Sequence, residues 1–328
     1  MAILASLAIM AITLLVLGAD PVAATGSMLE GALGSSFGIG ETLTITSILV
    51  LTGLAAAVPF AAGMWNIGGE GQMYAGAVAA TAVAFTAEGL PAWAHVSLAV
   101  LAAVAGGALW GLIPGVLKTR LGANEVIVTL MLVYVAMYGV EFTINHLWPS
   151  RAQTTPPIPS SAALPTLVPG AHVSAGVLLA LAAVVGAAIL LRRTHLGFAI
   201  RATGDNVRAA RLSAIRPDRV RVLAFVIGGG FAGAAGGIAV LGVSRALVSG
   251  FSDNFGFIGI AVALMARLSP VWIVGSALLF SVLRVGANQM QVSTGLDPST
   301  GDVLVTAFVL TLMAFGVIRV KQLGSIRE

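Results

Sequence analysis

The most unusual side-chain chemistry lies in a short polar segment inside a long apolar stretch, residues 42–90. Asn66, Glu70 and Gln72 carry amide and carboxylate groups there, and glycines surround them. Such groups can hydrogen-bond a polar solute, and unwound backbone at membrane depth is tolerated only where protein buries it or a wet cavity adjoins it. The segment therefore predicts either the lining of a substrate path or a plain cytoplasmic turn between two apolar helices.

A second polar pair, Asn124 and Glu125, opens another apolar stretch. Asn124 can cap the helix that follows, and the helix dipole favours the carboxylate of Glu125 in the first turn. This structural role explains both residues. The alternative is that Glu125 acts as a gate or pairs with an arginine.

A third feature is a strongly basic segment, residues 192–221. Gly204 is expected to end one short helix there, and Asp205 to cap another that runs through about Ile215. A surface helix with small side chains among arginines favours docking into a groove on another protein; the alternative is adsorption to anionic lipid. The residues expected to dock are Arg201, Gly204, Asp205, Asn206, Ala209, Ala210 and Arg211.

One positive charge, Arg284, falls inside an apolar stretch, with Asn288 four residues beyond it. Charge inside a membrane is costly and normally faces protein or water. We therefore expect Arg284 to be paired internally, with Glu125 or Glu141 as its partner, and Asn288 to lie on the substrate path.

The elements that must position these groups follow from composition. Of the 328 residues, 58% are hydrophobic and 9% are charged, with a mean hydropathy of +1.00, whereas soluble domains carry about 25% charged residues. The chain is predicted to be an all-α, polytopic transmembrane helix bundle, a single membrane domain over residues 1–328. About ten stretches approach the length of a spanning helix: 1–18, 42–62, 71–90, 92–117, 123–147, 172–191, 221–243, 254–268, 270–290 and 302–318.

The positive charges predict the orientation of these helices. Eight arginines lie in the segment 192–221, which we expect to be a cytoplasmic loop. The predicted outer loops, 19–41, 148–171, 244–253 and 291–301, hold only Arg151 and Arg245 as basic residues. Both termini then fall in the cytoplasm. The net charge of +4 thus indicates membrane orientation rather than binding to nucleic acid.

Motifs for enzyme chemistry are sparse. The sequence has no cysteine, no His-Glu-x-x-His, no Gly-x-Ser-x-Gly and no Walker-type phosphate loop. We expect no enzymatic activity, no metal and no cofactor on this chain. The glycines between Gly228 and Gly237 predict a close helix-packing seam, and the proline-rich loop Pro149–Gly170 predicts a non-helical flap on the outer surface.

Four motifs in order resemble one family. They are Asn66-Ile67-Gly68-x-Glu70-Gly71-Gln72, Gly122-Ala123-Asn124-Glu125-Val126-Ile127, Arg201-Ala202-x-Gly204-x-Asn206-x-x-Ala209-Ala210-Arg211 and Gly256-Phe257-x-Gly259-Ile260-Ala261-Val262-Ala263-Leu264. Together they resemble the permeases of bacterial ABC importers for simple sugars and nucleosides, within the branched-chain amino acid and ribose permease family. Where the resemblance leads us to expect an asparagine, this chain has Val133.

The resemblance implies a multi-pass protein of the bacterial plasma membrane that moves a nucleoside or simple sugar by alternating access. It implies a cytoplasmic ABC ATPase that uses the ATP, a second permease subunit, homologous or identical, and an extracytoplasmic substrate-binding protein, often a lipoprotein. Residues 201–215 would then be the coupling segment on the ATPase, and Asn66, Glu70, Gln72, Asn124 and Glu125 would lie at or near the path. From the residues alone, an ion-coupled secondary transporter is the alternative, with residues 66–72 as its ion site.

Overall fold

A computed structural model describes residues 2–16, 19–150, 153–168, 170–171, 173–295, 297, 300–301 and 303–311. Its architecture is an all-α helical bundle, as predicted. The helices are α1 (Ala2–Val16), α2 (Pro21–Leu33), α3 (Ser36–Ala61), α4 (Gly69–Thr86), α5 (Ala92–Leu121), α6 (Glu125–Phe142), α7 (Gly176–Arg193), α8 (His195–Asp205), α9 (Val207–Leu212), α10 (Pro217–Ile238), α11 (Phe255–Met265) and α12 (Pro270–Thr294). Two short strands, β1 (Thr166–Val168) and β2 (Val173–Ser174), form an antiparallel hairpin.

Six helices of the described chain are long and apolar enough to cross a membrane. They are α3, α5, α6 with the π-helical turn Thr143–Leu147, α7, α10 with the π-helical turn Ala239–Ser244, and α12. A bent pair, Ala8–Val16 and Pro21–Leu33, would make a seventh span. The predicted spans 71–90 and 254–268 correspond to the shorter or less apolar helices α4 and α11. The predicted span 302–318 lies mostly outside the described residues.

The segment 19–41, predicted to be an outer loop, is instead mostly helical and contains α2 and the start of α3. Asp20 caps α2, because its carboxylate accepts a hydrogen bond from the backbone N–H of Val22 at 2.8 Å. Pro21 follows at the first helical position, where its missing N–H costs nothing. An Asp-Pro pair is thus a helix start here, and the loop prediction was wrong.

The chain divides into two compact units, residues 1–43 with 278–328 and residues 44–277. In the first unit, α2 lies directly against the second half of α12. A Cβ atom added at Gly286 would lie 3.0 Å from the Cα of Met28, closer than real Cβ contacts allow. The hydroxyl of Thr42 donates to the carbonyl of Ala32 at 3.0 Å, which ties α3 to the end of α2.

The second unit is built around a seam of glycines where α4, α5 and α10 meet. A Cβ at Gly233 would lie 2.9 Å from the Cα of Gly107 on α5, and one at Gly76 on α4 would lie 2.8 Å from the carbonyl oxygen of Ala103. Missing side chains let these backbones approach closely, which is how membrane helices associate without a hydrophobic driving force. The predicted packing seam in α10 is confirmed.

Two halves of this unit follow the same order of elements. A long helix, a break, a shorter helix and another long helix occur as α3, α4, α5 and again as α10, α11, α12. α10 packs on α4 and α5, while α3 packs on α11 and α12, because a Cβ at Gly53 would lie 3.2 Å from Val262 and 3.0 Å from Ile273. Each first helix therefore packs on the other half's following pair, an exchange typical of inverted repeats in transporters.

The predicted cytoplasmic segments gather at one end of the second unit. The guanidinium of Arg192, at the end of α7, donates to the hydroxyl of Ser269 in the turn before α12 at 3.3 Å. The carboxylate of Glu125 accepts from the backbone N–H of Trp65. Met64 and Leu191, the neighbours of Trp65 and Arg192 in the chain, pack in one hydrophobic cluster. Four turns far apart in the sequence thus lie close together at what we call the basic end.

The outer loop predicted as a flap is hydrogen-bonded to a second loop. The backbone N–H of Thr155 donates to the carbonyl of Leu247 at 2.9 Å, and the backbone N–H of Ile158 donates to the carbonyl of Arg245 at 2.8 Å. His95, at the start of α5, is hydrogen-bonded to Ser161 at 3.0 Å. Apart from the short 3-10 turn Ser160–Ala162, the described residues of the loop, 149–150, 153–168 and 170, are non-helical, as predicted, and they form an attached cover.

We expect Gly233→Val to destabilise the protein, because its side chain would overlap the backbone of α5. Overpacking of this kind costs about 1–3 kcal/mol. Gly186→Val on α7 is the matched control, since nothing lies within 4 Å of a Cβ added at Gly186. Thermal unfolding of the purified proteins measures both, and equal midpoints for the two variants would contradict the seam.

Candidate functional site

The break between α3 and α4, residues 62–68, follows a proline near the end of α3. Pro59 lies inside α3 and has no N–H, so the carbonyl of Ala55 loses its normal helical donor. The amide of Asn66 donates to that carbonyl at 3.2 Å. The side chain of Asn66 therefore hydrogen-bonds a residue before the break, and it satisfies the carbonyl of Ala55, which would otherwise be unpaired at membrane depth.

Asn66 and Gln72 also hold each other. The amide nitrogen of Asn66 donates to the oxygen of Gln72 at 3.0 Å, and the nitrogen of Gln72 donates back at 3.2 Å. The oxygen of Asn66 further accepts from the backbone N–H of Gly68 at 3.1 Å. Both side chains are 1% exposed. Their amides stabilise the break, and the lining of a path by them stays a prediction.

Glu70 joins two helices at their starts. Its carboxylate accepts from the backbone N–H of Gly256, in the first turn of α11, at 2.7 Å and also from the hydroxyl of Ser252. The hydroxyls of Ser252 and Tyr74 are hydrogen-bonded at 2.9 Å. Glu70 itself lies in the first turn of α4. A negative charge is favoured at a helix N-terminus, and the carboxylate of Glu70 lies at the N-termini of both α4 and α11.

The depth of Glu70 follows from the length of α11. Eleven residues rise about 16 Å, about half of the hydrocarbon core of a bilayer. α11 starts beside Glu70 and ends at Met265, just before the turn that contacts Arg192 at the basic end. The segment 62–70 therefore runs from the basic end towards the middle of the bundle.

Asn124 and Glu125 adopt the structural roles predicted for them. The side chain of Asn124 caps α6 by accepting from the N–H of Val126 at 3.0 Å. The carboxylate of Glu125 forms an ion pair of 2.7 Å with Lys118 at the end of α5. Together they close the turn between α5 and α6 at the basic end. Their position on a substrate path stays a prediction.

Arg284 and Asn288 lie one turn apart on α12, in the first unit. Asn288 is exposed, and Arg284 is half-buried. The ionic partner found for Glu125 is Lys118 rather than an arginine. Pairing of Arg284 with either glutamate, and a path role for Asn288, stay predictions.

The basic segment forms two short helices, α8 and α9, but the predicted cap was wrong. Asp205 is the last residue of α8, and Asn206 caps α9, accepting from the N–H groups of Arg208 at 2.9 Å and Ala209 at 3.0 Å. The cap falls there because the backbone of Asn206 is extended, with φ −157° and ψ 105°. α9 ends at Leu212, short of the predicted Ile215.

The two helices divide the predicted docking residues between a buried and an exposed side. Ala210 is 2% exposed and packs inward. The exposed members are Arg201, Gly204, Asp205, Asn206, Ala209 and Arg211. Sequence reasoning missed Leu212, which is 85% exposed, the highest value of any large hydrophobic side chain in the described residues. An apolar side chain directly after Arg211 in a surface helix was its available signal.

Comparison with known proteins decides the family. A family model described as the permease component of the branched-chain amino acid transport system matches residues 38–315. The chain belongs to this permease family. The permease is 36% identical to the glucose ABC transporter permease of Haloferax volcanii, over 95% of this chain and 85% of the relative.

Two further relatives agree. The permease is 33% identical to the guanosine ABC transporter permease of Bacillus subtilis, over 97% of this chain and 93% of the relative. It is 34% identical to the nucleoside ABC transporter permease of Lactococcus lactis subsp. cremoris, over 94% and 88%. This chain is therefore the membrane permease subunit of an ABC importer, a multi-pass protein that works with an ATPase and a substrate-binding protein.

Three residues around the side chains of Asn66 and Glu70 were not identified from the sequence: Pro59, Ser252 and Tyr74. Pro59 had a signal, since a proline inside an apolar helix frees a carbonyl four residues earlier. Tyr74 had one too, since it follows Glu70 by four residues and therefore lies on the same side of α4. Ser252 had none, because it lies 182 positions from Glu70 and only the folded backbone brings the two together.

A cavity of about 400 Å³ in the second unit does not suit a polar solute. It lies among α3, α5, α7 and α10, and its walls are hydrophobic side chains with glycine. A molecule rich in hydroxyl groups would lose its hydrogen bonds to water there without replacement. The solute of the permease must be held elsewhere.

We expect Asn66→Ala to destabilise the permease, because it leaves the carbonyl of Ala55 buried without a donor. The cost of such a group is about 1–3 kcal/mol. In a Pro59→Ala background the backbone N–H of residue 59 can serve that carbonyl, so the same substitution should cost less. A double-mutant cycle on thermal unfolding measures the difference, and strict additivity of the two substitutions would contradict this role of Asn66.

Proposed function

We propose that the permease imports a nucleoside or a simple sugar by alternating access, driven by ATP at a separate cytoplasmic ATPase. The relatives named for guanosine, nucleosides and glucose support this class of solute. The observation that carries the coupling is the geometry of α8 and α9. Their exposed side presents Leu212 among arginines at the basic end, and their buried side contacts the break after α3.

A close contact between two glycines would transmit movement from the ATPase to the membrane helices. A Cβ at Gly204, in α8, would lie 3.1 Å from the backbone nitrogen of Gly63 and still closer to the carbonyl of Ala61. α8 is also held in a hydrophobic cluster, in which Ile200 packs with Met64 and Phe225. Because packed interiors transmit displacement, a shift of α8 moves the end of α3 and the start of the break.

The break carries that displacement towards Glu70. Gly63 is three residues from Asn66, whose amide holds Gln72 in the first turns of α4. α4 starts tightly against α6, since a Cβ at Gly71 would lie 3.0 Å from the Cα of Val133. Tilting of α4 about Glu70 would therefore move α6 as well, opening one side of the membrane as the other closes. The chain supplies this polar, movable frame and no bond chemistry.

The assembly that we propose contains four further components. They are the cytoplasmic ABC ATPase, which binds the ATP, a second permease subunit, homologous or identical, an extracytoplasmic substrate-binding protein or lipoprotein, and the surrounding lipid. The attached cover formed by residues 153–168 and 241–249 supports docking of the binding protein at the outer end. We further propose ten membrane segments with both termini in the cytoplasm of a bacterium.

Transport by the reconstituted assembly tests the function. Proteoliposomes with the two permeases, the ATPase and the binding protein should accumulate labelled guanosine or glucose only when ATP is supplied on the ATPase side. A hydrolysis-deficient ATPase is the control and should abolish uptake. Uptake by the permease alone, driven by an ion gradient, would overturn the proposal.

We expect Leu212→Ser to weaken docking of the ATPase, because an exposed apolar anchor is lost at the end of α9. Truncation of a hot-spot residue costs about 2 kcal/mol or more, so binding should weaken about thirtyfold. Ser213→Ala, at the next exposed position, is the control. Co-purification and ATP-driven uptake measure the effect, and unchanged values for Leu212→Ser would exclude α9 as the docking surface.

A further inference from the structure

One face of α6 combines exposed polar and aromatic side chains. Tyr134 is 50% exposed and Tyr138 is 67% exposed, and Glu141 and Asn145 are exposed too. The spacing of four and three residues places Tyr134, Tyr138 and Glu141 on one side of the helix, and Asn145 follows in the π-helical turn Thr143–Leu147. We call these four residues the outward stripe.

The outward stripe lies on the side of α6 that does not carry its buried residues. The buried residues of α6 are Thr129, Val133, Ala136 and Val140, and they face α4 and α5, against which α6 packs. At 100° per residue these residues occupy the opposite side of the helix. The stripe therefore faces lipid, a partner subunit or water, and its chemistry must decide which.

The depth of the stripe argues against lipid. The spanning helix Glu125–Leu147 has its midpoint near residue 136, so the two tyrosines flank the middle of the membrane. Glu141 lies about 7.5 Å from that midpoint along the helix, inside the hydrocarbon half-thickness of about 15 Å. A carboxylate at this depth almost always faces a water-filled cavity or a protein partner.

The same chain shows what its lipid-facing surfaces look like. The exposed side of α7 consists of aliphatic side chains, with Leu178 at 56%, Leu181 at 50%, Val185 at 58% and Ile189 at 52%. Neighbouring exposed positions on α6, such as Val135 and Phe142, are also apolar and 55% exposed. The outward stripe is thus a polar strip bordered by lipid-compatible residues.

We propose that the outward stripe lines the aqueous translocation path of the assembled importer and binds the passing solute. This inference rests on the proposed function, and it specifies the residues of this chain that would contact the solute. The rings of Tyr134 and Tyr138 stack on the flat face of a sugar or nucleobase. The carboxylate of Glu141 accepts hydrogen bonds from ring hydroxyls, and the amide of Asn145 both donates and accepts.

The position that departs from the family pattern lies outside this surface. Val133 is 2% exposed and faces Gly71 at the start of α4. A valine there changes the packing between α6 and α4 and leaves the four side chains of the stripe unchanged. The departure therefore does not alter the chemistry offered to the solute.

The absence of cysteine from this chain makes a direct test simple. Single cysteines replace members of the stripe, as Tyr134→Cys, Tyr138→Cys and Glu141→Cys, with Val135→Cys and Phe142→Cys as controls on the same helix. The assembled importer in proteoliposomes is treated with a charged thiol reagent that does not enter lipid, and labelling of this chain is followed by mass spectrometry.

We expect labelling at the stripe to be at least about tenfold faster than at the controls, because only thiols in water form the reactive thiolate readily. Guanosine or glucose should slow it. Equal rates at stripe and control positions would mean that the stripe faces lipid and would overturn the proposal. Cross-links between two permease subunits, with labelling insensitive to either solute, would mark a subunit interface and overturn it as well.

Uptake kinetics give a second readout. Tyr138→Ala should raise the KM for guanosine or glucose at least about fivefold, the lower end of what stacking on an aromatic ring contributes, while Tyr138→Phe should stay near the wild type. ATP-dependent uptake by the wild type with unchanged kinetics in Tyr138→Ala would overturn this inference alone. Failure of the wild type to take up either solute would instead overturn the proposed function.

Discussion

The carboxylate of Glu70 is the interaction on which the second unit depends. α4 and α11 begin at the same point, and both present positive helix ends there. Without an anion between them, the N–H of Gly256 would be buried without an acceptor. One glutamate therefore allows the 18-residue α4 and the 11-residue α11 to start beside each other inside the bundle.

Close contacts between helix backbones occur on both sides of Glu70. Glycines bring α10 against α4 and α5, while a Cβ at Gly259 of α11 would fall 2.6 Å from the hydroxyl oxygen of Thr52 on α3. Backbones in such contact cannot slide without a clash. A Cβ at Gly228 of α10 would likewise lie 2.6 Å from the carbonyl oxygen of Ala55 on α3. The two sets of helices are therefore joined by a close glycine contact as well as by the polar side chains around Glu70.

Local features were predictable from the sequence and distant ones were not. Apolar length placed most helices, and Asn124 acted as the expected cap because a cap involves only its own next residues. The same logic failed by one residue at Asn206, where two possible caps stand side by side. Asp20 and Pro21 were read as loop, although a capping aspartate followed by proline is a signal for a helix start. The contact of Glu70 with Ser252 depends on tertiary structure, and no pattern within a window of the chain contains it.

The proline of α3 has an energetic consequence for the whole helix. Ordinary bending of a helix stretches several backbone hydrogen bonds at once, but at Pro59 one of them is already replaced by the side chain of Asn66. Because Asn66 is buried, opening that single bond leaves the carbonyl of Ala55 without a donor, at a cost of about 1–3 kcal/mol. The end of α3 that carries Pro59 therefore depends on one side-chain amide at a position where the rest of the helix has a backbone hydrogen bond.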